Sequence, residues 1–278
     1  MIHMEIPIWQ YVVSMLIYII LLMLLVEVMR KYRKFAAVFW ILSLLTFPLW
    51  FAQLEGWFRW IKVISVLVPT ALIVGPARIA YFDQLSGWWK IYRKDWVLWT
   101  LYGVLGLNIL EATIKDFALQ NYLNASVGVI LILTMPLYKY IGKKANGWEI
   151  SKKEPGDLLA YTHHMWNFLY TTWNIAFVYA ENPGFAASSL SILLAAELYP
   201  VIKKRPELYV TARIYTLAMH MLIRATYDIF TPIMDSSQFY NGTVVYYWGL
   251  INLIIAIPYF IWHFNKRRQE IIKDRIEK

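Results

Sequence analysis

Three sets of ionisable and amide side chains stand at helical spacing inside otherwise apolar runs. Asn108, Glu111 and Lys115 are three and four residues apart, so one helical face carries all of them, with Asp116 beside it. His163, Asn167, Tyr170, Asn174 and Glu181 step by four, three, four and seven along a second run. Arg213, His220, Arg224 and Asp228 step by seven, four and four along a third. Such groups are costly in hydrocarbon, so they face the protein interior, where they either mark a solute path or pair with one another to fix helix packing. The chemistry within reach is electrostatic. Carboxylates can hold a cation or proton, and arginine or lysine can hold an anionic group.

All three runs point outward in the topology argued below, so depth sorts their members. Asn108, Glu111, Asn174, Glu181, Arg224 and Asp228 share the outer half, and Arg59 and Lys62, at the start of an inward run, reach the same level. The expectation is an outward-facing cavity that binds a small polar or charged solute through Asn108, Glu111, Asn174, Glu181, Arg224, Asp228 and Lys62. Arg224 or Lys62 is expected to pair with Glu111. A second set, His163, His220 and Glu197, is a candidate proton relay, because imidazole titrates near physiological pH.

Other chemistries lack their residues. His163 and His164 are adjacent and diverge by about 100° on a helix, and no HxxxH or HExxH spacing occurs, so no metal site is expected. There is no cysteine, no GxSxG elbow and no phosphate-cradling glycine loop. No catalytic residue and no cofactor is assigned.

The elements that would position these residues are read from the composition. Of 278 residues, 59% are hydrophobic and only 16% charged, against about a quarter charged in soluble domains. The net charge of +9 is not gathered on a solvated face, as nucleic-acid binding would need, but falls between apolar runs. Lipid is therefore the expected partner and nucleic acid is not. Crossing a hydrocarbon core takes roughly 20 apolar residues. Nine segments qualify, near 8–29, 35–53, 60–81, 96–115, 122–141, 158–180, 184–202, 209–229 and 244–264. The reading is an all-α, polytopic transmembrane bundle forming a single domain over 1–278, in the cell membrane.

Basic residues alternate between loops. Arg30, Lys31, Arg33 and Lys34, then Arg78, Lys90, Arg93 and Lys94, then the lysines from Lys139 to Lys153, then Lys203 to Arg205 and the tail 265–278 fall on one side. Positive charge marks the cytoplasmic side, which puts the N-terminus outside and the basic C-terminus in the cytoplasm. Residues 82–95, rich in Trp and basic side chains, read as a short interfacial helix. Asn108 and Asn174 are each followed by a returning helix ending LYKYIGKK or LYPVIKK, a pattern that either a hairpin repeat or ordinary membrane-edge chemistry produces.

Four segments carry a resemblance: Glu27–Lys31 (EVMRK), Trp57–Val63 (WFRWIKV), Asn108–Phe117 (NILEATIKDF) and Trp173–Tyr179 (WNIAFVY). Their order and spacing resemble an uncharacterised family of microbial polytopic membrane proteins. The resemblance implies a membrane fold and no activity. Three functions stay open: a transporter or channel for a small polar solute, a membrane-embedded enzyme acting on a lipid or isoprenoid, and a structural or sensory protein.

Overall fold

In hydrocarbon a helix satisfies its backbone polar groups within its own segment, and the apolar runs fold accordingly. The computed structural model describes residues 6–137 and 147–276. The chain begins with α1 (Ile8–Lys31) and α2 (Arg33–Ser43), which passes through a 3₁₀ turn at Leu44–Thr46 into α3 (Phe47–Gln53). Then α4 (Trp57–Pro69) runs through a π-turn at Thr70–Val74 into α5 (Gly75–Phe82). A 3₁₀ helix at Gly87–Arg93 precedes α6 (Trp96–Ala118) and α7 (Tyr122–Thr134). A two-stranded antiparallel hairpin, β1 (Trp148–Ile150) and β2 (Leu158–Ala160), precedes α8 (His164–Glu181), α9 (Ala186–Lys203) and α10 (Tyr209–Thr226). The short α11 (Phe230–Met234) and the long α12 (Gly242–Ile276) complete the described chain.

Among the described residues, six stretches are long and apolar enough to cross a membrane: 8–31, 33–53, 59–82, 96–118, 183–203 and 242–269. Their outward side chains are apolar too. Ile17, Leu24, Ile254 and Ile261 are each more than half exposed, as suits a surface solvated by lipid. The core is built from large aromatics, with Trp40, Trp50, Trp166 and Trp173 fully buried. The protein is a membrane helical bundle.

Several expected boundaries are corrected. The segment expected at 122–141 is helical only to Thr134, because Pro136 pushes the residue before it out of the α region, and Met135 is extended at φ −60°, ψ 136°. Its last residues, with Lys139, Lys143 and Lys144 and most of the LYKYIGKK ending, lie outside the described residues. The segment expected at 158–180 does not start as a helix. Leu158–Ala160 pairs with Trp148–Ile150 across a turn containing Gly156 at φ +76°, and α8 starts only at His164. The segment expected at 209–229 ends at Thr226, so Asp228 lies in the turn beyond it. The expected interfacial segment does contain a helix, of the 3₁₀ type, with the Trp88 and Trp89 rings 4.2 Å apart.

Long-range contacts separate the two ends of the bundle. At one end Arg33 meets Asp83 at 2.6 Å, Lys203 meets Glu27 at 2.8 Å and Arg205 meets Asp157 at 3.4 Å. At the other, Gln10 donates to Ile233 O, Tyr179 donates to Phe239 O, and Ser236 donates to Pro183 O. The first end holds most of the basic loops. Two of its arginines are not solvated. Arg30 and Arg78 are 7% and 1% exposed, and Arg78 donates to the carbonyls of Met29, Arg30, Pro155 and Gly156 and to the Tyr215 hydroxyl.

Candidate functional site

At the end with few basic residues, α4, α6, α8, α9 and α10 diverge around a cavity of about 400 Å³. Each helix contributes the face that its sequence spacing sets. Lys62 comes from α4, Asn108 and Glu111 from α6, Tyr170, Asn174 and Glu181 from α8, Ser189 from α9, and Arg213 and Arg224 from α10. Asp228 and Thr231 reach in from the turn before α11 and from α11 itself. Exposure grades the wall. Arg59 and Asp228 are exposed at the mouth, Glu111, Asn174 and Arg224 are half-buried, and Tyr170 and Arg213 at the floor are 3% and 8% exposed.

The structure thus places Asn108, Glu111, Asn174, Glu181, Arg224, Asp228 and Lys62 around one space. Lys62 Nζ stands 3.9 Å from Glu111 Oε1 and 5.8 Å from the centre of the Phe177 ring. Both partners of the pair keep about a third of their side-chain surface exposed, so the pair is solvated. Arg224 is held differently. Its guanidinium lies 3.7 Å over the Phe185 ring, and the charged groups that act on it are Arg59, Glu181 and Asp228. Stacking on an aromatic face leaves the donors of the guanidinium edge available to other groups.

The polar stripes read from spacing are only partly cavity residues. On α10 the cavity face is Arg213, Leu217, Met221 and Arg224, while His220 turns away, fully buried against Phe230, with its Nδ1 3.2 Å from the Tyr18 hydroxyl. Glu197 accepts a bond from Thr171 Oγ1 at 3.0 Å, and that hydroxyl also bonds the Tyr209 hydroxyl. His163 caps α8, its Nδ1 accepting from the backbone N–H of Met165 at 3.2 Å, and packs on Trp262. Burial, with the positive charge of Lys266, holds His163 below the usual imidazole range. The three relay candidates therefore bond to separate partners.

Asp116 also leaves the cavity, because the helix turn that brings Glu111 inward carries it to the opposite side. It is fully buried and accepts from Asn121 Nδ2 at 2.9 Å and Asn124 Nδ2 at 2.7 Å. Asn124 donates on to Trp173 O, and Asn252 of α12 donates to Asn124 Oδ1 at 3.3 Å. This chain of amides ties α6, α7, α8 and α12 together.

Sequence reasoning assigned neither Arg213 nor Tyr170 to the site. Both stood in the stripes, but depth sorting placed them too far inward, whereas the cavity reaches down to them. Gln53 and Ser189 also line the cavity, and neither carried a signal, since a lone amide or hydroxyl in an apolar run is ordinary.

No curated protein and no solved structure matches this chain. A family described only as of unknown function matches residues 4–276, nearly the whole length. That match covers the cavity helices and all the residues around them, and so the chain belongs to this family of unknown function, DUF5692.

Proposed function

We propose that the chain crosses the cell membrane nine times, with its N-terminus outside and its C-terminus in the cytoplasm, and that the cavity takes up a small polar or charged solute from the outer side, as a transporter or channel does. The orientation rests on the basic loops at the end opposite the cavity mouth. The helices α8 and α10, less apolar than the other spans, owe their polar residues in part to the cavity they line. The observation that carries the proposal is the Lys62–Glu111 pair, a solvated ion pair 3.9 Å apart in a cavity among transmembrane helices. A solvated pair contributes little to holding helices together, about 0–1 kcal/mol.

Flux in proteoliposomes tests the reading. Uptake from a panel of small solutes is expected for the native chain, and Glu111→Gln or Arg224→Met is expected to abolish it while folded protein is recovered. Absence of uptake across the panel, with both variants altered only in stability, favours a scaffold. The lack of native cysteine makes the orientation directly measurable. A single cysteine at Asp235 is expected to react with an impermeant reagent from outside and one at Lys94 only from the cytoplasmic side; the reverse pattern overturns the topology.

A further inference from the structure

The charges around the cavity are unevenly matched. Among the described residues, four lining side chains are basic (Arg59, Lys62, Arg213, Arg224) and three are acidic (Glu111, Glu181, Asp228). Lys62 faces Glu111, and Glu181 and Asp228 act on Arg224. Among the described residues Arg213 forms no ion pair. It is 8% exposed, and its Nε and Nη1 have no hydrogen-bond partner among the described residues. The carboxylate of its packed neighbour α9, Glu197, is engaged by Thr171. A guanidinium keeps its charge at any physiological pH, and a buried one without a counter-ion is a strongly unfavourable arrangement that an anion relieves.

A second cavity of about 60 Å³ adjoins that floor. It shares Asn108, Tyr170, Arg213 and Leu217 with the larger cavity, and the rest of its wall is chiefly apolar, with Val66, Val104 and Val210 among its residues. It opens where Pro69, which lacks a backbone N–H, is followed by the π-turn at Thr70–Val74. Single π-turns inside helices recur at functional sites. The one hydroxyl of that turn, Thr70 Oγ1, is bonded back to Val66 O at 2.7 Å.

We infer that the solute is a small organic anion whose acid group rests on Arg213, beside Asn108 and Tyr170, and whose short apolar tail enters the pocket at the π-turn. The inference rests on the solute-binding reading above and names its chemical class. On the scale where one water needs about 15 Å³, the smaller pocket holds about four methylene-sized groups.

Titration calorimetry of the full chain in nanodiscs of zwitterionic lipid tests this with linear carboxylates from acetate to hexanoate, inorganic phosphate and butylammonium. Affinity is expected to rise about fourfold per added methylene through pentanoate and then level off. Arg213→Gln is expected to weaken pentanoate by about tenfold or more, as loss of a charge-assisted bond does. Val104→Phe, which fills the pocket, is expected to make all the carboxylates bind alike. Should Arg213→Gln not fold, Arg213→Lys and Val104→Phe carry the test, and native affinities in both overturn the assignment. Phosphate binding as tightly as pentanoate, with no chain-length gain, overturns the tail. Butylammonium binding in place of the anions and lost in Glu111→Gln overturns the anion class but leaves a solute site standing. No binding by any probe overturns both.

Discussion

Arg30 and Asp157, 127 residues apart in the chain, form a buried two-point ion pair, Nε to Oδ1 at 2.9 Å and Nη2 to Oδ2 at 2.6 Å. Asp157 is 1% exposed and sits in the hairpin turn, so the pair fastens that turn to the end of α1. Tyr199 joins the pair to Glu27, and Arg78 holds the same turn through its carbonyls. Asp157→Asn leaves buried Arg30 with only the part-exposed Glu27, 3.8 Å away, as a counter-charge, and a loss of about 3 kcal/mol is expected. Reversible unfolding in mixed micelles measures it, and an unchanged midpoint would show that the turn is not fastened here.

The amide chain around Asp116 should behave as one unit. Asp116→Ala strips acceptors from Asn121 and Asn124, both buried, at about 1–3 kcal/mol. Adding Asn124→Leu is expected to cost less than the sum of the single changes, because the shared partner is already gone. Strict additivity in the same unfolding assay would contradict the network.

Close packing of α6 on α7 depends on Gly128. A Cβ there would lie 2.1 Å from Thr113 Oγ1, which is itself bonded to Ile109 O, and 3.0 Å from the Trp173 ring. Gly128→Ala is expected to destabilise by about 1–3 kcal/mol through overpacking. Gly103→Ala, in α6 with open space around it, is the control and is expected to be neutral or stabilising by up to about 1 kcal/mol. Equal melting temperatures for the two variants would refute the contact.

His163 predicts a pH dependence of defined sign. Its Nδ1 accepts the Met165 N–H only when unprotonated, and its titration lies below the usual imidazole value in the folded chain. A depressed folded value means that the stabilisation is complete above about pH 6.5, the unfolded value, and is lost as pH falls through the folded value. The melting temperature of the native chain should therefore drop further between pH 7.5 and 5 than that of His163→Asn, whose side chain caps without titrating. Parallel curves would remove His163 from the cap.

Helical spacing carried much of the candidate site. The intervals among Asn108 and Glu111, and among Tyr170, Asn174 and Glu181, are properties of any α-helix, so their shared faces follow from residue order. The face of His220 did not follow, because residues 220 and 221 both fall near the stripe and only contact with Tyr18 and Phe230 turns the histidine away. Arg30 and Arg78 were legible only as members of the basic loops. Nothing local distinguishes them from the solvated Lys34 or Lys94, since the carbonyls and carboxylate that bury them come from the distant hairpin turn and, for Arg78, also from the end of α1. The hairpin itself was hidden because Leu158–Ala160 is as apolar as the helix expected there, and strand pairing with 148–150 decides its form.

The amino-acid order alone determined the solvent, the apolar runs and the faces on which polar groups must meet, because hydrocarbon thickness and helical periodicity act on each segment separately. The tertiary structure decided how deep the cavity runs, which arginines it spends in buried latches and which one it leaves uncompensated at the floor. Those outcomes depend on acceptors and space supplied by helices far apart in the chain, and a buried charge is stabilised only where such groups arrive together.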